Sequence, residues 1–188
     1  VMACQKPAAL TGQLDGTTEK TTTIYLIDPQ NLRGVAATYF GKVIDSATVE
    51  ADGRFVFANL PETQQPILLE LALKAPGMAP NFLETDNPAQ ANYMPIVWQS
   101  GESLRITADQ EAFQKSFSIA SPSKANRALL ALRDIYQQAY QSYLSGKQFQ
   151  VEDGSELMEK EDAILNFQQQ LMQFADSTSH LLPGLVAM

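Results

Sequence analysis

The sequence has few of the residues on which most active sites depend, because its 188 residues include one cysteine, Cys4, and one histidine, His180. A single cysteine excludes a disulfide within the chain, a CxxC redox pair and a cysteine-rich zinc site. A single histidine excludes metal sites built on paired histidines and leaves little capacity for acid–base catalysis near neutral pH. The composition therefore favours a module that does not catalyse a reaction.

Basic residues and long apolar runs are also scarce. The chain has 13 lysines and arginines against 21 acidic residues, which gives a net charge of −8. This balance argues against nucleic-acid binding, which needs a basic surface. No run of 18 apolar residues is present, and the longest run, 66–73, is interrupted by Glu70, so no segment is expected to span a membrane. A hydrophobic fraction of 45% is nevertheless enough for a sizeable core.

The first 120 residues are rich in β-branched and aromatic residues that alternate with polar ones, separated by glycine, proline, asparagine and aspartate. This pattern predicts strands over 10–14, 22–27, 42–50, 54–58, 67–74, 93–99, 103–108 and 117–120. Two hairpins are expected, one around Asp52-Gly53 and one around residues 100–102. We therefore predict an antiparallel β-sandwich of about eight strands over residues 10–120.

Residues 121–188 carry apolar side chains at helical spacing. Ser121 is the expected cap of a first helix, with Pro122 at its first position and Gly146 as its stop. A second helix is expected from near Ser155 to about Ser179. The predicted fold is therefore α+β, a β-sandwich followed by a C-terminal helical hairpin, with this helical segment leading to a missing C-terminal domain.

No residue of the sequence is assigned a catalytic or metal-binding role, and no cofactor is expected. His180 has Ser177 and Asp176 only as neighbours in sequence, which is the wrong geometry for a hydrolase triad. Candidate binding residues are Trp98 and the helical set Tyr136, Tyr140 and Tyr143, which suit sugar stacking or a protein partner, although all four also suit packing into a core. The proline-rich loop 75–92 is a further candidate surface.

The N-terminus reads Val1-Met2-Ala3-Cys4, which matches the end of a bacterial lipoprotein signal. In such signals a small residue precedes a cysteine whose thiol is acylated after cleavage. We therefore expect residues 1–9 to be a lipobox remnant and tether, with a lipid on Cys4 as the membrane anchor.

Three strand motifs carry a resemblance to a known family: 11–16 (TGQLDG) followed by 24–28 (IYLID), 44–57 with its Asp52-Gly53 turn, and 101–106 (GESLRI). Over roughly residues 10–145 the chain resembles the N-terminal domain of unknown function found in Bacteroidota lipoproteins ahead of a thioredoxin-like (AhpC/TSA, TlpA-type) domain. The resemblance implies an exported protein of the cell envelope, anchored in the outer membrane and facing the periplasm, whose catalytic CxxC lies in a further domain.

Two functions remain open at this point. The first is a non-catalytic scaffold, tether or partner-binding module of a lipid-anchored thiol-disulfide oxidoreductase-type protein. The second is a ligand-binding lipoprotein that takes a glycan or a peptide. A third possibility, that the chain is itself an enzyme, is disfavoured because the sequence has few residues suited to catalysis.

Overall fold

The computed structural model describes residues 9–16, 22–29, 41–84, 87–147 and 154–188. Cys4 lies outside these residues, as does the predicted polar loop 17–21. Within the described ranges, eight strands and four helices give a mixed α+β fold. In chain order they are β1 (Ala9–Asp15), β2 (Thr23–Asp28), β3 (Lys42–Thr48), β4 (Arg54–Val56), β5 (Ile67–Leu73), β6 (Tyr93–Trp98), β7 (Ser103–Asp109), α1 (Phe113–Ser116), β8 (Ser118–Ala120), α2 (Lys124–Tyr143), α3 (Gly154–Ser177) and α4 (Leu181–Ala187).

The strands form two four-stranded sheets, with the order β4-β1-β7-β8 in the first and β3-β2-β5-β6 in the second. Every predicted strand is present within a few residues of its expected bounds. The prediction that all strands are antiparallel is wrong for one pair, because β1 and β7 run parallel. Their register extends from Ala9 opposite Ser103 to Asp15 opposite Asp109. All four strands of the second sheet lie between these two in sequence, so no local turn signal reports their pairing.

Both predicted hairpins are wrong, although both turns are present. At the first turn Gly53 has a φ of +84°, and its N–H donates to the Glu50 carbonyl at 2.8 Å. However, β3 pairs with β2 and β4 pairs with β1, so the chain crosses from one sheet to the other at this turn. The 100–102 turn does the same, because β6 pairs with β5 while β7 pairs with β1 and β8.

The pairing of β4 with β1 has a visible steric basis. Gly12 lies opposite Phe55 in the register of these strands, and a Cβ at position 12 would overlap the Phe55 ring. The glycine therefore leaves room for the Phe55 ring against the neighbouring strand. Phe55 is buried there and meets Phe57 edge to face, with 6.0 Å between ring centroids.

The two sheets share one hydrophobic core. Alternate residues of both sheets point into it, and α2 adds Leu129. Its buried members on β1, β2, β5, β6 and β7 include Leu10, Leu14, Ile24, Leu26, Leu69, Leu71, Met94, Ile96, Leu104 and Ile106. A smaller cluster of Ile27, Ala72 and Leu83 covers the opposite face of the second sheet, where Tyr25 and Tyr93 pack against it.

The helices follow the sequence pattern with three differences. The cap of α2 is Ser123, whose hydroxyl accepts a hydrogen bond from the Asn126 N–H at 3.2 Å, rather than Ser121, which has a φ of +53° and lies outside the helix. The short helices α1 and α4 were not predicted. The sequence did not indicate α4, because Pro183 and Gly184 lie within it and both residue types disfavour helix. Both are buried in the structure.

The long helices are close to expectation, since α2 ends before Gly146 and α3 spans most of the predicted second helix. Across them, Tyr136 of α2 and Phe167 of α3 meet edge to face at 5.2 Å. Among the described helices, none combines the length and the hydropathy that a bilayer crossing requires.

Candidate functional site

A cavity of about 330 Å³ lies between the outer face of the second sheet and the helices. We call it the Glu70 cavity, after the residue on β5 that lines it. Its other walls come from β6, α1, α2, α3 and the C-terminal residues. The lining residues are Glu70, Tyr93, Met94, Pro95, Gln114, Leu129, Leu132, Arg133, Tyr136, Leu171, Leu185, Val186, Ala187 and Met188.

Glu70 is the unusual member of this set, because it is only 1% exposed on a strand whose other residues are apolar. Its cross-strand neighbours are Ile27 on β2 and Pro95 on β6, which offer it no polar side chain. Among the described residues its Oε2 has no hydrogen-bond partner. Desolvation by this burial raises the pKa of the Glu70 carboxyl from its ordinary 4.5 to about 7.

Two tyrosines line the Glu70 cavity. Tyr93 comes from β6, and Tyr136 comes from α2, where Phe167 holds its ring. Desolvation, and then the nearby charge of Glu70, raise the pKa of the Tyr93 hydroxyl well above its usual range. The Tyr93 ring is therefore a neutral aromatic surface at physiological pH.

Arg133 also lines the cavity, but its guanidinium is already bound elsewhere. Its Nε and Nη2 contact the Asp134 carboxylate at 2.9 and 2.8 Å. Its Nη1 donates to the carbonyls of Gln114 and Phe117. The bonds to the two carbonyls tie α2 to the α1 segment. Arg133 forms its ion pair with Asp134 and none with Glu70.

Comparison with known proteins identifies no relative: no family, no curated sequence and no solved structure matches this chain. The site is therefore interpreted from its own chemistry. Within the part of the chain that the structure describes, no group of three or more histidine, cysteine, aspartate or glutamate side chains is arranged to hold a metal ion.

The structure brings one of the candidate binding residues, Tyr136, into the Glu70 cavity. Tyr140 and Tyr143 are half-buried farther along α2. Trp98 is 1% exposed, and its Nε1 donates to the Pro61 carbonyl at 3.0 Å. The indole lies at the edge of a separate open cavity of about 680 Å³ and turns little of its surface to solvent.

In its described part, the 75–92 segment forms a loop without helix or strand. Asn92 organises it, because its Nδ2 donates to the carbonyls of Leu73 and Phe82 at 2.7 and 3.0 Å. Its Oδ1 accepts from the Glu84 N–H at 2.8 Å. The loop is thus tied to the end of β5 and places Leu83 over the outer face of the second sheet.

Sequence reasoning missed Glu70 as a site residue. The available signal was a lone acid within the longest apolar run, on the strand face that it shares with Ala72. The pattern showed which face Glu70 occupies. It did not show that α2 and α4 cover that face, since this covering depends on contacts distant in sequence.

Proposed function

We propose that this chain is a non-catalytic ligand-binding module whose binding site is the Glu70 cavity. The observation that carries the proposal is the buried carboxyl with an unpartnered oxygen at the cavity wall. Pockets that combine an apolar lining with a few polar groups are the usual form of small-molecule sites, and about 300 Å³ is the lower end of their range.

The buried Glu70 carboxyl is energetically costly unless a ligand pairs with it. A buried polar group without a partner costs about 1–3 kcal/mol, and more when it is charged. Such a group persists most readily where a partner supplies the missing hydrogen bond. An apolar residue at position 70 would continue the pattern of β5 at no such cost, so the acid is best explained by a ligand.

The test is a fragment screen by protein-observed NMR on the whole chain and on a variant with a filled cavity. Leu132 lines the cavity from α2, so Leu132→Trp places an indole in it. Ala131→Trp, on the exposed side of the same helix, is the matched control. We expect ligands that bind the native chain and the Ala131→Trp variant but not the Leu132→Trp variant.

The outcome against the proposal is equally definite. Absence of any fragment whose binding depends on Leu132 contradicts the assignment of the cavity as a binding site. Turnover of a bound compound by the chain contradicts the non-catalytic part. The circular dichroism spectra of both variants check that each one folds.

We further propose a setting for this module: a β-sandwich with an antiparallel helical hairpin, held at the membrane by a lipid on Cys4, in an exported protein of the thiol-disulfide oxidoreductase type. The support is that the strands and long helices follow the order that the family resemblance implies. In this setting the lipid raises the local concentration of the module near its membrane partners.

The setting is tested on the complete gene. We expect its reading frame to encode a CxxC-containing thioredoxin-like region. We also expect the native protein to be found in the membrane fraction and the Cys4→Ser variant to be absent from it. A reading frame without that region contradicts the redox setting. Equal membrane retention of the Cys4→Ser variant contradicts the lipid anchor.

A further inference from the structure

We infer that the Glu70 cavity binds a small organic cation, an ammonium group carried on an apolar body. This inference rests on the proposed binding function and specifies its ligand class. The carboxylate of Glu70 is the recognition group, and the apolar and aromatic walls take the body of the ligand.

The charges around the cavity favour a cation. Glu70 contributes an acid whose Oε2 has no hydrogen-bond partner in the part of the chain that the structure describes. Among the described lining residues Arg133 is the one basic side chain. Asp134 and two backbone carbonyls already hold its guanidinium, so it offers no free pair of N–H donors to a carboxylate or phosphate. An anionic ligand would therefore meet an acid without gaining a cationic partner.

The aromatic walls favour the same class. A cation within about 6 Å of a tyrosine ring face is attracted by the ring quadrupole, and this attraction strengthens when water is excluded. Tyr93 and Tyr136 supply two such rings from different elements. Because both line the cavity together with Glu70, an ammonium group bonded to the carboxylate has aromatic surface close by.

The remaining lining residues are mostly apolar, so they favour a ligand with an apolar body. Leucines from α2, α3 and the C-terminal segment, with Val186 and Met188, close the cavity on the side away from the sheet. A hydrophilic polyamine or a free metal ion would leave this surface without a contact. An amine with a single ring or a short branched chain fits both ends of the cavity.

The binding should depend on pH through the groups that face the cavity. The titratable and charged side chains of the lining are Glu70 from β5, Tyr93 from β6, and Arg133 and Tyr136 from α2. Glu84 lies near Tyr93, and Asp134 pairs with Arg133. Of these, the Glu70 carboxyl has a pKa of about 7 and titrates near neutrality. An ammonium ligand requires the ionised carboxylate, so affinity should rise from pH 5.5 to pH 8.

The experiment compares 2-phenylethylamine, 2-phenylethanol and phenylalanine by calorimetry and NMR on the whole chain at pH 5.5 and pH 8. Since hydrogen bonds to charged groups contribute about 1.5–3 kcal/mol, we expect the amine to bind at least about tenfold tighter than the alcohol at pH 8. The preference should shrink at pH 5.5. Phenylalanine should bind more weakly than the amine because of its carboxylate.

Variants identify the residue responsible. Glu70→Gln keeps the shape and removes the charge, so it should abolish the preference for the amine over the alcohol. Glu62→Gln, at an exposed position away from the Glu70 cavity, is the matched control and should keep the preference. If Glu70→Gln does not fold, the pH dependence of the native chain tests the same point.

The outcomes separate this inference from the proposed function. Equal affinity for amine and alcohol, lost in Leu132→Trp, overturns the cation assignment and leaves the cavity as a binding site. Failure of every fragment overturns both. An amine preference that survives in Glu70→Gln also overturns the inference, because the charge recognised would then lie elsewhere.

Discussion

Glu70 holds its proton more tightly in the folded protein than in the unfolded chain, because burial in the second sheet disfavours the charged form. Its pKa of about 7 lies above the ordinary 4.5. This group therefore leaves stability unaffected at pH below 4.5, lowers it as the pH rises from 4.5 to 7, and has its full effect above that range. By linkage the loss amounts to about 3 kcal/mol at pH 8.

Glu70→Gln removes this titration. We expect the free energy of unfolding of the variant, relative to that of the native chain, to increase by about 3 kcal/mol between pH 4 and pH 8, which makes the variant the more stable of the two at high pH. Urea denaturation at several pH values measures it, and Glu62→Gln serves as the exposed control. A difference between Glu70→Gln and the native chain that does not vary with pH would show that Glu70 is not an isolated buried acid.

At the scale of single residues, the sequence predicted those features that depend only on neighbouring residues in the chain. Alternation along β5 assigned Glu70 and Ala72 to one face, and the structure places both on the outer face of the second sheet. Burial of that face was not predictable, because it results from Tyr93, Leu83 and the helices that follow much later in the chain. The same limit applies to Trp98, for which the sequence left both packing and binding open.

At the scale of elements, the strands and turns were predictable and their partners were not. The positive φ of Gly53 and Gly101 gives the two turns that the sequence indicated. Each turn is compatible with a hairpin and equally with a crossing between sheets. The choice depends on distant complementarity, such as the fit of Phe55 over Gly12, which no pattern within β3 and β4 reports.

Asn126 of α2 joins a helix to the outer strand of the second sheet. Its Oδ1 accepts from the Val97 N–H at 2.8 Å, and its Nδ2 donates to the Val97 carbonyl at 2.9 Å. The side chain thus pairs with β6 as a neighbouring strand would, and it is fully buried. This contact covers an edge that would otherwise expose unpaired backbone groups.

Asn126→Ala leaves both Val97 backbone groups without a partner in a buried position. We expect a loss of about 3 kcal/mol in the free energy of unfolding, since each unpaired group costs about 1–3 kcal/mol. Asn166→Ala, at an exposed position on α3, should change it by less than about 0.5 kcal/mol. Chemical denaturation of both variants measures the difference, and equal losses would contradict the role of Asn126.

At the scale of the whole molecule, the helices and both sheets are joined through shared buried surface. The main core takes residues from every strand pair and from α2, and Leu182 and Val186 of α4 pack against it. The α4 residues also line the Glu70 cavity, so the site is assembled from elements that are far apart in sequence, from β5 to the C-terminal residues. A cavity built in this way exists only when the complete fold is formed.

This arrangement predicts that the chain unfolds as one cooperative unit. Trp98 is the single tryptophan and is buried in the second sheet, so its fluorescence reports on the core. Far-UV circular dichroism reports mainly on α2 and α3. We expect the two signals to give the same denaturation midpoint, because coincident transitions are the mark of two-state unfolding. Loss of the helical signal at a lower denaturant concentration would contradict this, and it would mean that the helices and the Glu70 cavity open while the sheets remain folded.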